Sequence, residues 1–399
     1  MKISHILLSI IVFLSFFTSV QAAPKLSSGA QVSILTQEGG KEIYALWGHT
    51  AIRIQDDSLG VDDIFNYGLF DFSSPNFAWR FVKGQTDYIL GVNSMQDVYV
   101  EAAMRNLNLT EQHLNLTRQE KQSLWDSLLT NALPQNRTYR YSFVFDNCAT
   151  RPANMLERNL QGRLMFNDST ATGGTLRDIV HETTGDFPWL RFGVNIIFGS
   201  RFDQPVTFRE QFFQPTYLKN ALNDAYIVNS DGTKRALVDR SVVLLKQDPQ
   251  LIDDESKIPA PQWVVYPLGF IFLIFTLRNG LRKNKLSVIP DVFLFALSGA
   301  AGCIIYFLAL VSTHPGMYPN GAMLLFEPFQ LLYAFTLLIA PWRKYVLLFN
   351  YINAGLVFIF LLTAPFVSQI YSAEMLFLAV VLLIRSVMWI KIMRFCCEK

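Results

Sequence analysis

The chain has 399 residues, 51% of them hydrophobic, with a formal net charge of +2, which allows two or three domains and is too apolar for a chain soluble throughout. Ten basic and four acidic residues lie beyond Gln262, and Lys2 lies near the start, which leaves residues 23–262 with 23 basic against 28 acidic side chains. That acidic balance excludes nucleic acid as a partner.

Met1–Ala22 opens with Lys2, continues as an apolar core from Ile6 to Phe17 and ends on Val20-Gln21-Ala22. This is the pattern of a secretory signal cleaved after Ala22, with a retained anchor as the alternative. The domain it would export, residues 23–257, begins with strand-like runs. Gln31–Thr36, Ile43–Trp47, His49–Gln55, Asp63–Phe72 and Thr86–Val92 are rich in β-branched and aromatic residues, which predicts strands. Asn93–Met104 and Thr117–Ala132 have helical spacing, and Thr117 with Glu120 forms a capping box. His113 stands in the polar run EQHLNLT and reads as a surface residue.

Tyr139–Phe145 predicts one more strand, followed by a polar turn and a helix, with Cys148 at the handover. A thiol there lies near backbone N–H groups and the positive end of the helix dipole, which favours the thiolate. Pro152 is tolerated only in the first helical turn, so the helix is expected to start near Ala149 or Thr150, with Cys148 on its lip. The other reading of such a cysteine is a small buried hydrophobe. Cys148 is also the one cysteine of the expected exported domain, where thiols are normally paired, and a catalytic role would explain its isolation. A thiol nucleophile needs a base, and His49, His113 and His181 are available. His49 follows a glycine and opens a strand, where backbone can come close.

Farther on, the residues predict a loop over Asn167–Gly174 and a short helix over Thr175–Glu182. Phe187–Gly199 is an apolar stretch that belongs either to a core or to the bilayer surface. Thr207–Tyr226 is expected to be helical, Lys234–Leu245 to be a strand and Gln247–Pro261 to be a linker.

From Trp263 the chain becomes a series of apolar runs near the ~20 residues that cross a bilayer. They fall near Trp263–Leu281, Pro290–Ser312, Ala322–Pro341, Tyr345–Phe366 and Met375–Met393. Arg278, Arg282, Lys283 and Lys285 mark the first loop, Arg343 and Lys344 the third, and Lys391, Arg394 and Lys399 the tail. Loops two and four carry no Lys or Arg. The alternation predicts an exported N-terminal domain and a cytoplasmic C-terminus, in agreement with the signal.

WGHTAIRI, FNYGLFDF, FVKGQTDYIL, YRYSFVFDNCATR and REQFFQPTYL, in that order, resemble the exported domain of the Bacteroides-type bacterial lipoprotein N-acyltransferases. The resemblance covers roughly Ser33–Leu245 and extends into the spans. It implies an α+β, permuted papain-like exported domain, similar to lecithin–retinol acyltransferase, followed by an all-α bundle of five transmembrane helices in the inner membrane. The histidine precedes the cysteine in this permuted order, as His49 precedes Cys148 here. The implied reaction moves an acyl chain from a membrane phospholipid through a Cys148 thioester to the α-amine of a diacylglyceryl-cysteine lipoprotein, without metal or cofactor. Cys148 would attack, His49 would take its proton, and Asn66, with Tyr67 in reserve, would hold the imidazole. Backbone N–H groups at Cys148 and Ala149 would face the oxyanion, with Asp146 and Asn147 as helix caps.

Arg151 could face a phosphate or simply the domain surface. His314 and Asn320 in the second outer loop, and Glu327 at the start of the third span, are candidates for gripping a substrate amine or head group. Two other readings stay open: a membrane-anchored cysteine amidase or peptidase acting on the cell wall, and a non-enzymatic envelope assembly protein with an inert Cys148.

Overall fold

The computed structural model describes residues 24–40, 42, 45–166, 174–251, 258–282, 287–339 and 344–397. The expected signal (Met1–Ala22), Ile43 and Tyr44, most of the 167–174 loop, and the charged residues Lys283, Lys285, Arg343 and Lys399 lie outside them.

The N-terminal domain is built on a seven-stranded sheet whose paired strands all run antiparallel. In chain order its strands are β1 (Gln31–Gln37), β2 (His49–Asp56), β3 (Val61–Leu69), β4 (Asp87–Ser94), β5 (Leu109–Leu114), β6 (Thr138–Arg140) and β10 (Val238–Leu245). Their order in space is β10-β5-β1-β2-β3-β4-β6. Alternation along the pleat sends Ile52, Ile54, Phe65, Tyr67, Tyr88 and Leu90 into the main core, beneath helices α3 (Arg118–Ala132), α4 (Thr150–Arg158) and α7 (Pro215–Asn223). Ala51 and Ile64 face the other way and pack on α2 (Met95–Met104) through Val98 and Ala102. A short helix, α1 (Phe77–Val82), lies between β3 and β4. Strands β7 (Arg163–Met165), β8 (Tyr226–Val228) and β9 (Lys234–Ala236) form a second small sheet.

Several expected elements change. The run around His113 is not surface: β5 lies between β1 and β10. Its buried Glu111 takes hydrogen bonds from Ser33 (2.5 Å) and Arg53 (3.0 Å), and Gln112 donates to the Lys219 carbonyl (2.9 Å). Partners from other strands and helices make a polar run tolerable inside a sheet. Ala45–Trp47 forms turns instead of a strand. Asn93 lies in β4, and the helix begins only at Met95, where the Ser94 side chain accepts from the Asp97 N–H in a capping box. Pro215 divides the expected long helix into a 3-10 turn (Arg209–Phe213) and α7.

Helices α5 (Leu176–Thr183) and α6 (Pro188–Ile197) follow β7. The apolar stretch of α6 serves two cores at once. Val194 packs inside the domain, whereas Phe192 and Ile196 pack on the C-terminal bundle.

The bundle consists of α8 (Pro261–Arg282), α9 (Val288–Leu310), α10 (Pro328–Leu338), α11 (Val346–Thr363) and α12 (Ala373–Cys397). Among the described residues five segments are long and apolar enough to cross a membrane: Pro261–Arg282, Val288–Leu310, Gly321–Leu338, Val346–Phe366 and Ala373–Arg394. The expected spans coincide with them. The third is broken, with a 3-10 turn (Gly321–Leu324) before α10.

The spans are locked by polar contacts as well as by apolar packing. Arg385 of α12 donates to Asp291 of α9 (2.8 Å) and Thr276 of α8 (2.9 Å), and Trp389 donates to the same carboxylate (2.8 Å). Gln330 of α10 donates to Asn353 of α11 (2.9 Å), which donates to Ser386 of α12 (2.8 Å). The domain sits on the two loops that lack basic residues. Ser200 N–H donates to the Pro319 carbonyl (2.8 Å), and Gln369 reaches both the Phe198 carbonyl (3.0 Å) and Asn320 (2.8 Å).

Candidate active site

His49 is the first residue of β2, so its ring stands at the end of the sheet beside the last turns of β3. The register opposes Ala51 to Asn66 and Asn66 to Gly91, which puts Asn66 on the same face as His49. His49 Nε2 lies 3.2 Å from Asn66 Oδ1. That amide oxygen can only accept, so Nε2 carries the proton and Nδ1 is the basic nitrogen of the neutral ring. The Asn66 amide is itself oriented, because its Nδ2 donates to Asn93 Oδ1 at 2.7 Å. Sequence reasoning placed Asn93 in a helix and missed this role. Its position two residues from Gly91, the residue opposite Asn66, is the signal that locates it once the register is known.

Cys148 stands just ahead of α4, on the lip that Pro152 imposes, and is 8% exposed. The turn is built by Asn147, which is 3% exposed. Asn147 Oδ1 accepts from the N–H of Ala149 and of Thr150 (both 2.9 Å), and its Nδ2 donates to the carbonyls of Phe143 (2.9 Å) and Phe213 (2.7 Å). The expected capping by Asn147 is present, and that by Asp146 is not. Asp146 instead accepts two bonds from Arg151, at 2.6 and 2.7 Å. The Ala149 N–H is thereby committed to a cap and is not free for an oxyanion.

Gly68 lets the thiol approach the sheet. Its φ of +92° lies in the region that favours glycine, and a Cβ added there would be 3.4 Å from Cys148 Cβ. Cys148 lies close enough to His49 to influence the state of the imidazole. Burial pulls its pKa down, but the charge and hydrogen bond of Cys148, with the Asn66 bond, outweigh burial and raise it above the usual histidine range. A thiol paired with a histidine that is held by an asparagine is an arrangement suited to nucleophilic attack on a carbonyl.

Three tyrosines enclose the thiol. Burial and the negative charge of Cys148 raise Tyr88 (to about 12), Tyr139 and Tyr141, so all three keep their protons near neutrality. The Tyr139 hydroxyl is buried without a hydrogen-bond partner among the described residues. It lies 3.9 Å from the point where a Gly68 Cβ would stand. The Arg151 guanidinium covers the Tyr139 ring at 3.5 Å. An unpaired buried donor beside a nucleophile was not legible in the sequence.

The other expected site residues have different surroundings. Tyr67 points to the opposite face of β3 from Asn66, is 1% exposed and donates to Asn131 Oδ1 at 2.6 Å. It belongs to the core and does not hold His49. Arg151 is committed to Asp146 and Tyr139, with no sign of an open anion site. His314 Nε2 bonds the Phe81 carbonyl (2.8 Å), which ties the loop after α9 to α1. Asn320 is 4% exposed and saturated: it donates to the carbonyls of Ile196 and Ile197 and accepts from Ala322 N–H and Gln369. It joins domain to bundle and has no free group for a ligand. Glu327, also 4% exposed, has a buried Oε1 without a partner among the described residues, and α9 reaches it through Gly302, where a Cβ would meet the Glu327 backbone at 2.6 Å.

His181 lies apart from the thiol, against Asn195 (2.7 Å) and Arg191 (3.3 Å). It lines a cavity of about 550 Å³ between α5, α6 and the near ends of α8 and α12, which includes neither Cys148 nor His49. Among the described residues no group of three or more His, Cys, Asp or Glu could hold a metal ion.

Residues 21–182 match the family model of the Lnb N-terminal periplasmic domain, and residues 253–394 match that of the Lnb transmembrane domain. No curated protein and no solved structure matches the chain.

Proposed function

On the premise that the chain belongs to the Lnb-type lipoprotein N-acyltransferase family, a lipoprotein-related inner-membrane group with a periplasmic domain and a membrane domain, we propose that it transfers an acyl chain from a phospholipid to the α-amine of a diacylglyceryl-cysteine lipoprotein, with Cys148 as nucleophile and the C-terminus in the cytoplasm. The observation that carries this reading is the Cys148–His49–Asn66 chain, seated in a domain docked on the spans.

The first half-reaction begins with the Cys148 thiolate beside the His49 imidazolium. The thiolate attacks the ester carbonyl of the donor, and the carbonyl electrons move to oxygen. The Tyr139 hydroxyl is the donor poised for that oxyanion, together with the Cys148 N–H. As the tetrahedral centre collapses, the C–O bond breaks, His49 gives its proton to the leaving alkoxide, and a lysophospholipid departs. The thioester remains on Cys148.

In the second half-reaction the α-amine of the acceptor attacks the thioester. Neutral His49, now basic at Nδ1, removes a proton from the nitrogen, and the thiolate leaves as the amide forms. Asn66 keeps the ring in the tautomer that both halves need. The buried, unpaired carboxyl of Glu327 is suited to hold the acceptor amine near the membrane.

Mass spectrometry of lipoprotein N-termini tests the function. Cells whose only copy of this protein is Cys148→Ala are expected to carry lipoproteins with a free α-amine. Full N-acylation in those cells would refute the proposal.

A further inference from the structure

On the N-terminal domain a set of aromatic side chains at and before α1 stands largely exposed. Phe72 is 68% exposed, Trp79 54% and Phe81 50%, all within or just before α1, which has no buried residue. Such a patch is costly against water and marks a surface made for something apolar. Its neighbours say what that is. The Trp79 ring lies 5.3 Å from Phe307 of the α9 span. Beyond that span the chain binds the end of α1, with Thr313 N–H donating to the Lys83 carbonyl (2.8 Å) and Thr313 Oγ1 to the Gly84 carbonyl (2.9 Å). Lys83 Nζ sits over the Trp79 ring at 5.0 Å, and the pair suits the boundary between headgroups and acyl chains.

From this patch a series of ring contacts leads inward. Phe81 meets Phe77 at 6.0 Å, Phe77 meets Phe70 at 5.6 Å, Phe70 meets Tyr88 at 5.0 Å, and Tyr88 stacks on Tyr141 at 4.2 Å. Tyr141 and Cys148 then meet at Gly68, 3.8 and 3.4 Å from the point its Cβ would occupy. Every member of this series is an aromatic side chain.

Resting on the acyl-transfer reading above, we propose that the segment Phe70–Gly84 is seated in the outer bilayer leaflet and is where a lipid acyl chain leaves the membrane to reach Cys148. The exposed aromatics of α1 engage the chain at the bilayer surface, and the inner rings guide it to the thiol.

The test uses the full chain in vesicles of phosphatidylethanolamine and phosphatidylglycerol, with Cys148 acylation read by mass spectrometry. Phe72→Ser/Trp79→Ser is expected to slow acylation by bilayer lipid about tenfold or more, while acylation by water-soluble p-nitrophenyl butyrate stays within about twofold of the parent. Equal rates with bilayer lipid overturn the proposal, and so does an equal loss with both donors. A lipid carrying a diazirine at its chain terminus gives a second readout on the unaltered protein, where crosslinks are expected within Phe70–Gly84. Crosslinks confined to the spans contradict it. If the parent takes no acyl group from any lipid, the acyl-transfer reading fails, whereas the diazirine result still decides whether lipid occupies this segment.

Discussion

His49 is subject to two opposed influences, and the balance can be measured. Burial alone would lower its pKa, and the charge of Cys148 is the main reason it is raised. A raised pKa means that the protonated ring persists to higher pH than in a free histidine, and that the stabilisation from this pair is present in acid and lost as pH rises through the raised value. In Cys148→Ala the opposing term is gone, so the imidazole is expected to titrate at lower pH than in the parent, as followed by NMR of labelled histidine. An unchanged titration would show that the thiol does not set its state. Tyr139→Phe removes a buried hydroxyl that has no hydrogen-bond partner among the described residues. The expected loss is about 10²-fold in acyl transfer, with alkylation of Cys148 by iodoacetamide unchanged, since the nucleophile keeps His49. Asn93→Ala should cost less, and mainly in kcat, because it only frees the Asn66 amide to rotate.

At the scale of the element, the thiol depends on two turns. Gly68→Ala forces a side chain into a φ of +92° and against Cys148 Cβ, at a cost of roughly 1–2 kcal/mol and with misplacement of the nucleophile. Asn147→Ala leaves the Ala149 and Thr150 N–H groups and the Phe143 and Phe213 carbonyls without their partner, and about 2 kcal/mol or more of stability is expected to go with it. Both are checked by thermal unfolding together with activity. These elements also show what a sequence can reveal. The Pro152 limit on α4, the Thr117–Glu120 box and the five apolar runs are local signals, and each is present where it was expected. His49, Cys148 and Asn66 could be singled out by residue type and position. By contrast, Asn93, Tyr139 and the strand around His113 depend on which strands become neighbours, and no local pattern encodes that register. Tyr67 was a plausible partner for His49 by sequence distance alone. The pleat sends it to the opposite face.

For the whole molecule, the bundle is both a scaffold and a base for the domain. Arg385→Met would strand Asp291 without its cation inside the spans, and a loss of about 3–5 kcal/mol is expected, visible as a lower unfolding temperature in lipid discs and recovered in part by adding Asp291→Leu. Arg385 is a lone cation in an apolar run, and that signal was available in the sequence. Its partner, 94 residues away, was not. Domain and spans meet through Asn320, Gln369 and α6, so the thiol is held at a fixed place relative to the membrane. The central claim is that one thiol carries the acyl chain between two lipidic substrates. It is tested most directly by quenching the protein in acid during turnover with phospholipid in the absence of acceptor, and analysing the peptide that contains Cys148. The account predicts a hydroxylamine-sensitive mass increase of one acyl group on Cys148, which disappears when a lipoprotein with a free α-amine is added. Transfer to the lipoprotein with no acyl group ever found on Cys148, or in a Cys148→Ala protein, would contradict it.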